Sequence, residues 1–184
     1  MLLIMSSICP GQEHTDELTA KYTATYAALL DSQSAATETV ELARLYADQT
    51  PFKYEKVLSS VQKVFANRLT PKARKAINIP SLIVPCGDAA AAVDGGDFAF
   101  SECVEIIDQL SLSTGTSTYV SLTRLDALGI PVFRFIAVGI GRPVETVKNL
   151  SLQGRLKANV LAQLLLESFK SSYAGLAEKT KKGD

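Results

Sequence analysis

The feature that most constrains the fold is a nearly unbroken apolar run between Pro131 and Ile140, with the sequence PVFRFIAVGI. The run is rich in β-branched and aromatic side chains, which favour extended backbone. A strand that is buried on both faces of a sheet has this composition, because neither face meets solvent. We therefore predict a central strand over residues 131–138 with Phe133 or Phe135 buried. For Arg134, the single charge in the run, we favour a structural ion pair over a catalytic role.

The segments around this run favour further strands and helices. Residues 117–123 alternate apolar and polar side chains as a half-buried strand does, and residues 146–150 are consistent with another strand. Residues 77–84, which are apolar and bounded by prolines, are predicted as an edge strand or an extended packing segment. Apolar side chains recur at helical spacing over residues 101–110 and 156–173, so these segments are predicted helices.

The first part of the chain is predicted to be helical. Residues 15–49 follow a helical pattern with a break at residues 31–36, where small and polar side chains cluster. Residues 51–69 contain the clearest amphipathic helix, since apolar side chains repeat there at helical spacing over about five turns. The sequence therefore predicts helices before residue 70.

Together these patterns predict an α+β protein. A mostly helical extension over residues 1–90 precedes a small sheet packed with helices over residues 91–175. The boundary is placed in the Gly- and Ala-rich segment 86–96, and residues 176–184, which hold three lysines, are predicted as a flexible tail.

Charge and hydropathy exclude two classes of partner. Nineteen basic residues balance nineteen acidic residues among the 184, so the total charge shows no footprint for nucleic acid or for an anionic membrane. No apolar stretch approaches the roughly 20 residues of a membrane helix. The apolar run at the start of the chain has only about five residues and no basic residue before it, which argues against a secretory signal.

The cysteines and the histidine argue against a metal site. Cys9, Cys86 and Cys103 are odd in number and far apart, and His14 is the single histidine. This spacing predicts neither a zinc site nor a Cys-His catalytic pair. Reduced thiols are the expected state, which favours a cytoplasmic location.

Three short phrases carry a family resemblance. LDALGIPV stands at residues 125–132, LSL at 150–152 and LLLE at 164–167. Their order and spacing over residues 94–175 resemble the first half of a YcaO-type domain. Proteins of that family use ATP to modify amide backbones of ribosomally made peptides. The resemblance implies a strand after the first phrase and a nucleotide-binding site built around the second and third phrases. The second half of the family's domain has no counterpart in this sequence.

The positions that would meet nucleotide depart from the family pattern. The family's Gly-Lys-Gly turn becomes Leu152-Gln153-Gly154, and Lys170 replaces the second glutamate of its helix, which leaves Glu167. The resemblance thus implies Glu167, Gln153 and Gly154 as candidate nucleotide-binding residues. One carboxylate followed by a lysine is a poor magnesium site, so no metal ligand and no catalytic residue is predicted. The alternative for Glu167 is an exposed carboxylate with no role in binding.

Three functions remain open from the sequence. The first is an accessory, non-catalytic subunit, a pseudoenzyme, in the modification of a ribosomal peptide, such as biosynthesis of a thiazole- or oxazole-bearing bacteriocin, with no cofactor. The second is half of a split ATP-dependent cyclodehydratase that a partner chain completes, for which ATP and magnesium are needed. The third is an unrelated α+β interaction protein. Expected partners are a second copy or peptide-modification proteins, with a precursor peptide as a further candidate.

Overall fold

The computed structural model describes residues 10–116 and 118–183, and every regular element in these ranges is an α-helix. The predicted α+β class, with a small sheet like that of a partial YcaO domain, is therefore wrong, since the described residues contain no strand. Eleven helices follow one another along the described chain: α1 Pro10–Leu30, α2 Gln33–Gln49, α3 Tyr54–Ala66, α4 Pro71–Lys75, α5 Ile79–Ala91, α6 Gly96–Leu112, α7 Tyr119–Ala127, α8 Val132–Ile140, α9 Val144–Leu152, α10 Ala158–Tyr173 and α11 Leu176–Lys182.

Helices α1 and α2 pack against each other across a two-residue connection. Asp31 adopts a left-handed backbone there, with φ of 50°. The Ser32 side chain accepts a hydrogen bond from the Ala35 amide at 3.3 Å and so caps α2. The break predicted within residues 31–36 falls at this connection.

Helix α3 confirms the amphipathic helix predicted within residues 51–69. The Tyr26 hydroxyl of α1 donates to the Leu58 carbonyl of α3, and the Tyr26 ring meets the Phe65 ring edge-on at 5.3 Å. The apolar stripe of α3 is buried as expected, with Val57, Leu58, Val61, Val64 and Phe65 all inside the core.

Helices α5 and α6 form the centre of the molecule. Helix α6 contacts α3, α5, α7 and α10, and α5 also packs against α10 and α11. The strand or extended segment predicted at residues 77–84 is wrong, because Asn78 caps a helix here. Its side chain accepts from the Ser81 amide at 3.1 Å, and Pro80 sits in the first turn, where its missing N–H is not needed.

An almost fully buried ion pair joins α6 to the end of α3. The Arg68 guanidinium donates to both Asp108 carboxylate oxygens, at 2.6 and 3.0 Å, and the Asn67 amide donates to the same carboxylate at 2.8 Å. Three donors therefore compensate a carboxylate that has lost nearly all contact with water.

The central strand predicted at residues 131–138 is wrong, since α8 covers this segment. Its buried side chains, Val132, Phe133, Ile136 and Ala137, recur at the spacing of one helix face. Phe133 is buried, as expected, and Phe135 is half-buried. Val138 is 78% exposed, so the run does have a solvent face, and a short apolar run does not distinguish a strand from a helix.

The two flanking strand predictions are also wrong. Residue 117 lies outside the described residues, and α7 covers most of the rest of segment 117–123. Leu122 and Leu125, which are buried, stand three residues apart on this helix. Helix α9 covers residues 146–150 and buries Val147 and Ser151 four residues apart. Both spacings belong to one helix face.

Helix α10 confirms the predicted helix at residues 156–173, with Leu161, Leu165 and Phe169 buried. Helix α11 lies within the segment predicted as a tail. The buried carboxylate of Asp88 accepts from the Gly175 and Ala177 amides, both at 3.0 Å, and so caps α11. Helix α5 crosses the predicted boundary near residues 86–96, and the division into domains stays a prediction.

Candidate functional site

The three candidate nucleotide-binding residues lie at two places, the turn after α9 and the middle of α10. Gln153 caps the C-terminus of α9, Gly154 follows it with φ of +62°, and Glu167 is exposed on α10. Glu167 stands nine residues beyond Ala158, the first residue of α10, or about 13 Å along the helix axis. Within the described residues no hydrogen bond or ion pair links Glu167 to the other two. Nucleotide binding by these residues stays a prediction.

Other chemistry-bearing residues do not form a reactive site in the described chain. Arg134 is exposed and has no ion pair with any described residue, and the ion pair stays a prediction. The Thr118 and Ser151 hydroxyls form a buried hydrogen bond at 2.9 Å that joins α7 to α9. Residues 10–116 and 118–183 contain no group of three His, Cys, Asp or Glu side chains placed to hold a metal ion.

An apolar groove lies between α2 and α5 and is here called the α2–α5 groove. Its volume is about 370 Å³. Leu45 is 53% exposed and Val84 is 40% exposed, so each wall presents an apolar side chain to solvent. The lining residues come from two helices that are held apart, namely Glu38, Glu41, Leu42, Leu45, Tyr46 and Gln49 on α2 and Pro80, Ile83 and Val84 at α5.

Tyr46 forms the floor of the groove and holds its two walls at a fixed separation. The Tyr46 hydroxyl donates to the Ile83 carbonyl at 3.3 Å. A side chain at Gly87 is excluded, because its Cβ would lie 1.8 Å from the Tyr46 hydroxyl oxygen. The ring packs against Phe52 and Phe100, with centroids 6.3 and 6.1 Å away. Burial raises the pKa of Tyr46 far above its ordinary value, so the hydroxyl remains a donor at any physiological pH.

The charge at the groove is acidic. Glu38 and Glu41 are exposed at its rim, and no Lys or Arg is among the lining residues. Glu38 accepts a hydrogen bond from the Ser34 hydroxyl at 3.1 Å, whereas Glu41 has no hydrogen bond or ion pair with a described residue. Both carboxylates are therefore available to a basic partner.

The groove continues past Pro80 in two directions. A depression of about 410 Å³ leads towards Ile77, and another of about 360 Å³ leads towards Gly175. Pro85 borders the second depression and has no N–H, so the Ser81 carbonyl lacks its usual α-helical donor. This second depression is also lined by Lys170, so the acidic rim is confined to the α2 side of the surface.

The sequence carried a charge signal that the total charge conceals. Residues 1–116 contain nine basic and fourteen acidic residues, whereas residues 117–184 contain ten basic and five acidic residues. The part of the chain before residue 117, which includes the groove, is therefore acidic, and the part after it is basic. Leu42 and Leu45 also lie outside the buried α2 stripe of Ala36, Val40, Ala43 and Ala47, which marks a second apolar face.

Comparison with protein-family models, curated proteins and solved structures finds no match to this chain. None of the helices in the described ranges has both the length and the hydropathy that a membrane-crossing segment requires. The groove is therefore interpreted from its own geometry and charge.

Proposed function

We propose that this chain is an interaction protein that binds a basic, apolar segment of a partner in the α2–α5 groove. The observation that supports the proposal is the pair of exposed apolar walls, at Leu45 and Val84, over a floor that Tyr46 fixes in place. Amphipathic helices bind in grooves of this kind through apolar side chains spaced three or four residues apart.

Apolar contacts and ion pairs contribute differently to binding in the groove. Apolar side chains of the bound segment bury themselves against Leu45 and Val84, and this burial supplies most of the affinity. Lys or Arg side chains of the segment pair with Glu38 and Glu41 at the rim. Exposed ion pairs contribute only about 0–1 kcal/mol each, so the rim mainly selects a basic partner and speeds its association.

The accessory role in peptide modification is a narrower form of this proposal. In that form the partner is a precursor peptide or a peptide-modification protein, and the complex is cytoplasmic. Its support is the family resemblance of the phrase at residues 125–132. The strand that this resemblance implies after the phrase is a helix, α8. The split-enzyme alternative requires Gln153, Gly154 and Glu167 to act together, and no described contact favours that.

A labelled amphipathic peptide of Leu and Lys, tested by fluorescence anisotropy, measures binding in the groove. A peptide with Glu in place of Lys is the charge control. We expect Leu45→Asp and Val84→Asp each to weaken binding of the basic peptide at least tenfold, because each places a carboxylate among apolar contacts. Val120→Asp, at a 71% exposed position on α7, is the matched protein control and keeps full affinity.

Equal binding of the acidic and basic peptides would contradict the proposal. So would unchanged affinity in both groove variants, provided that circular dichroism shows all three variants to be folded.

A further inference from the structure

We infer that a pocket where α1, α2 and the start of α3 meet binds a small α-amino acid through both of its charged groups. The pocket has a volume of about 120 Å³. It goes beyond the proposed function, because the α2–α5 groove shares only Glu41 with it. Hydroxyl groups from all three helices and two opposite charges from α2 line the pocket, namely Thr19, Thr23, Thr37, Tyr54, Glu41 and Arg44.

The two charges at the pocket have no partner in the described chain. Glu41 and Arg44 stand three residues apart on α2, a spacing at which opposite charges on a helix can pair. Both are exposed, and neither has an ion pair or a hydrogen bond with any described residue. A ligand with a cationic and an anionic group can therefore lie between them.

The hydroxyl groups at the pocket have already donated their hydrogens. The Thr23 and Thr37 hydroxyls donate to carbonyls one turn earlier on their own helices, at 2.7 and 3.0 Å. The Thr19 hydroxyl donates in the same way at 2.8 Å, so it must accept in its 3.1 Å contact with the Tyr54 hydroxyl. Each of the four oxygens is thus left only as an acceptor towards a ligand.

A wall of acceptors selects a donor as the bound group. An ammonium group has three N–H donors and no acceptor, so it suits the hydroxyl oxygens and the Glu41 carboxylate. A phosphate or sulfate presents acceptors to the same wall and is disfavoured. The Arg44 guanidinium can donate two parallel hydrogen bonds to a carboxylate.

A free α-amino acid carries the ammonium and the carboxylate on one carbon atom. Val40, which is 3% exposed, also lines the pocket and offers an apolar contact to a small side chain. The methyl group of alanine suits this contact and the small volume, so alanine is the ligand chosen for the test.

Titration of the isotope-labelled full chain with alanine, followed by NMR, tests the site. Alanine should shift the amide signals of Thr23 and Thr37 and leave those of α11 unchanged. Ethylamine and propanoate are the matched halves of alanine, since each keeps one of its two charged groups. Each half should bind about tenfold more weakly than alanine, because it loses the charge-assisted hydrogen bonds at one end of the pocket.

Two variants separate the two ends of the site. Arg44→Gln should weaken alanine binding about tenfold and leave the affinity for ethylamine unchanged, because only alanine has a carboxylate. Thr23→Val removes an acceptor and should weaken the binding of both alanine and ethylamine. Thr25→Val is the matched control, because Thr25 makes the same kind of bond on α1, to the Lys21 carbonyl at 2.9 Å, and does not line the pocket.

The absence of any alanine-dependent shift at the highest soluble concentration would overturn the inference. So would equal affinity for alanine and its two halves, or unchanged alanine binding in both pocket variants, whose amide spectra also report that they are folded. Arg44 and Thr23 do not line the α2–α5 groove, so failure of this test leaves the proposed function standing.

Discussion

At the scale of single residues, Gly87 determines whether the floor of the α2–α5 groove can form. A Cβ atom there would lie 1.8 Å from the Tyr46 hydroxyl, inside a well-packed aromatic cluster. We expect Gly87→Ala to lower the free energy of unfolding by about 1–3 kcal/mol, the usual cost of overpacking a core. Urea denaturation followed by circular dichroism measures the change.

A second substitution tests the cause. Tyr46→Phe removes the hydroxyl oxygen, so Gly87→Ala should cost less in a Tyr46→Phe background than in the wild type. Gly139→Ala is the matched helical control, because its new methyl group would lie 2.5 Å from Leu164 Cδ1 and 2.9 Å from Leu164 Cγ, so its cost should be the same with Tyr46 or Phe at position 46. If the cost at Gly87 is the same in both backgrounds, the hydroxyl is not the obstacle.

Asp108 provides a second residue-scale prediction. Asp108→Ala leaves the Arg68 guanidinium buried without its partner, and loss of one member of a buried pair costs about 3–5 kcal/mol. Glu105→Ala is the control, since its ion pair with Lys63, at 2.7 Å, is partly exposed and should be worth at most about 1 kcal/mol. Chemical denaturation of both variants compares them, and equal losses would contradict the assignment.

At the scale of elements, the sequence predicted those helices whose apolar side chains recur over several turns. Helices α3 and α10 have long stripes, such as Val57, Val61 and Val64, that no strand would bury on one face. Helix α8 has only nine residues, and nearly all of them are apolar. Its sequence therefore shows no alternation of apolar and polar side chains at helical spacing. Phe133 and Ile136 face the core, whereas Val138 faces solvent. A strand would divide the same side chains differently between core and solvent, and only tertiary packing determines which of the two conformations forms.

Two prolines favour an extended segment in the part of the sequence that forms α5. Pro80 and Pro85 are typical limits of such a segment, yet the first lies in the opening turn of a helix and the second lies inside it. An internal proline removes one backbone hydrogen bond and ordinarily disfavours a helix by about 3 kcal/mol. Burial of ten of the thirteen residues of α5 offsets that cost, and burial on this scale follows from the packed fold rather than from the local sequence.

The attachment of α11 can be tested at the same scale. Asp88→Ala removes the acceptor of the Gly175 and Ala177 amides, and hydrogen bonds to a charged group contribute about 1.5–3 kcal/mol. We expect faster amide hydrogen exchange throughout Leu176–Lys182, measured by mass spectrometry, with α1 unaffected. Asp126→Ala, at an exposed carboxylate on α7, is the control. Unchanged exchange in α11 would show that its other contacts suffice to hold it.

At the scale of the whole molecule, the distribution of charge matters more than its sum. A net charge near zero predicted no footprint for nucleic acid or an anionic membrane, but it does not show that acidic and basic residues are unevenly distributed along the chain. The candidate nucleotide-binding residues come from a family resemblance, and the structure places Gln153 and Gly154 in the turn after α9 and Glu167 on α10. The groove depends on α2 and α5 standing apart over Tyr46, which no local pattern encodes.

A charge reversal at the α2–α5 groove tests whether the acidic part of the molecule selects its partner. Replacing Glu38 and Glu41 by Lys should weaken binding of the labelled Leu and Lys peptide, because like charges then face each other at the rim of the groove. The peptide with Glu in place of Lys should bind this variant more tightly than it binds the wild type, measured by fluorescence anisotropy. If the variant still prefers the basic peptide, charge at the rim does not select the partner.

The bond from Asp88 to the amides of Gly175 and Ala177 joins positions almost ninety residues apart. A chain emerging from the ribosome exposes α5 long before its capping amides exist. Until then, Asp88 has no described partner for its carboxylate, and burying it would carry the penalty of an uncompensated charge. Helix α5 is thus expected to settle into the core only after residues 175–177 have been synthesised, and nascent chains released before that point should remain substrates for chaperones.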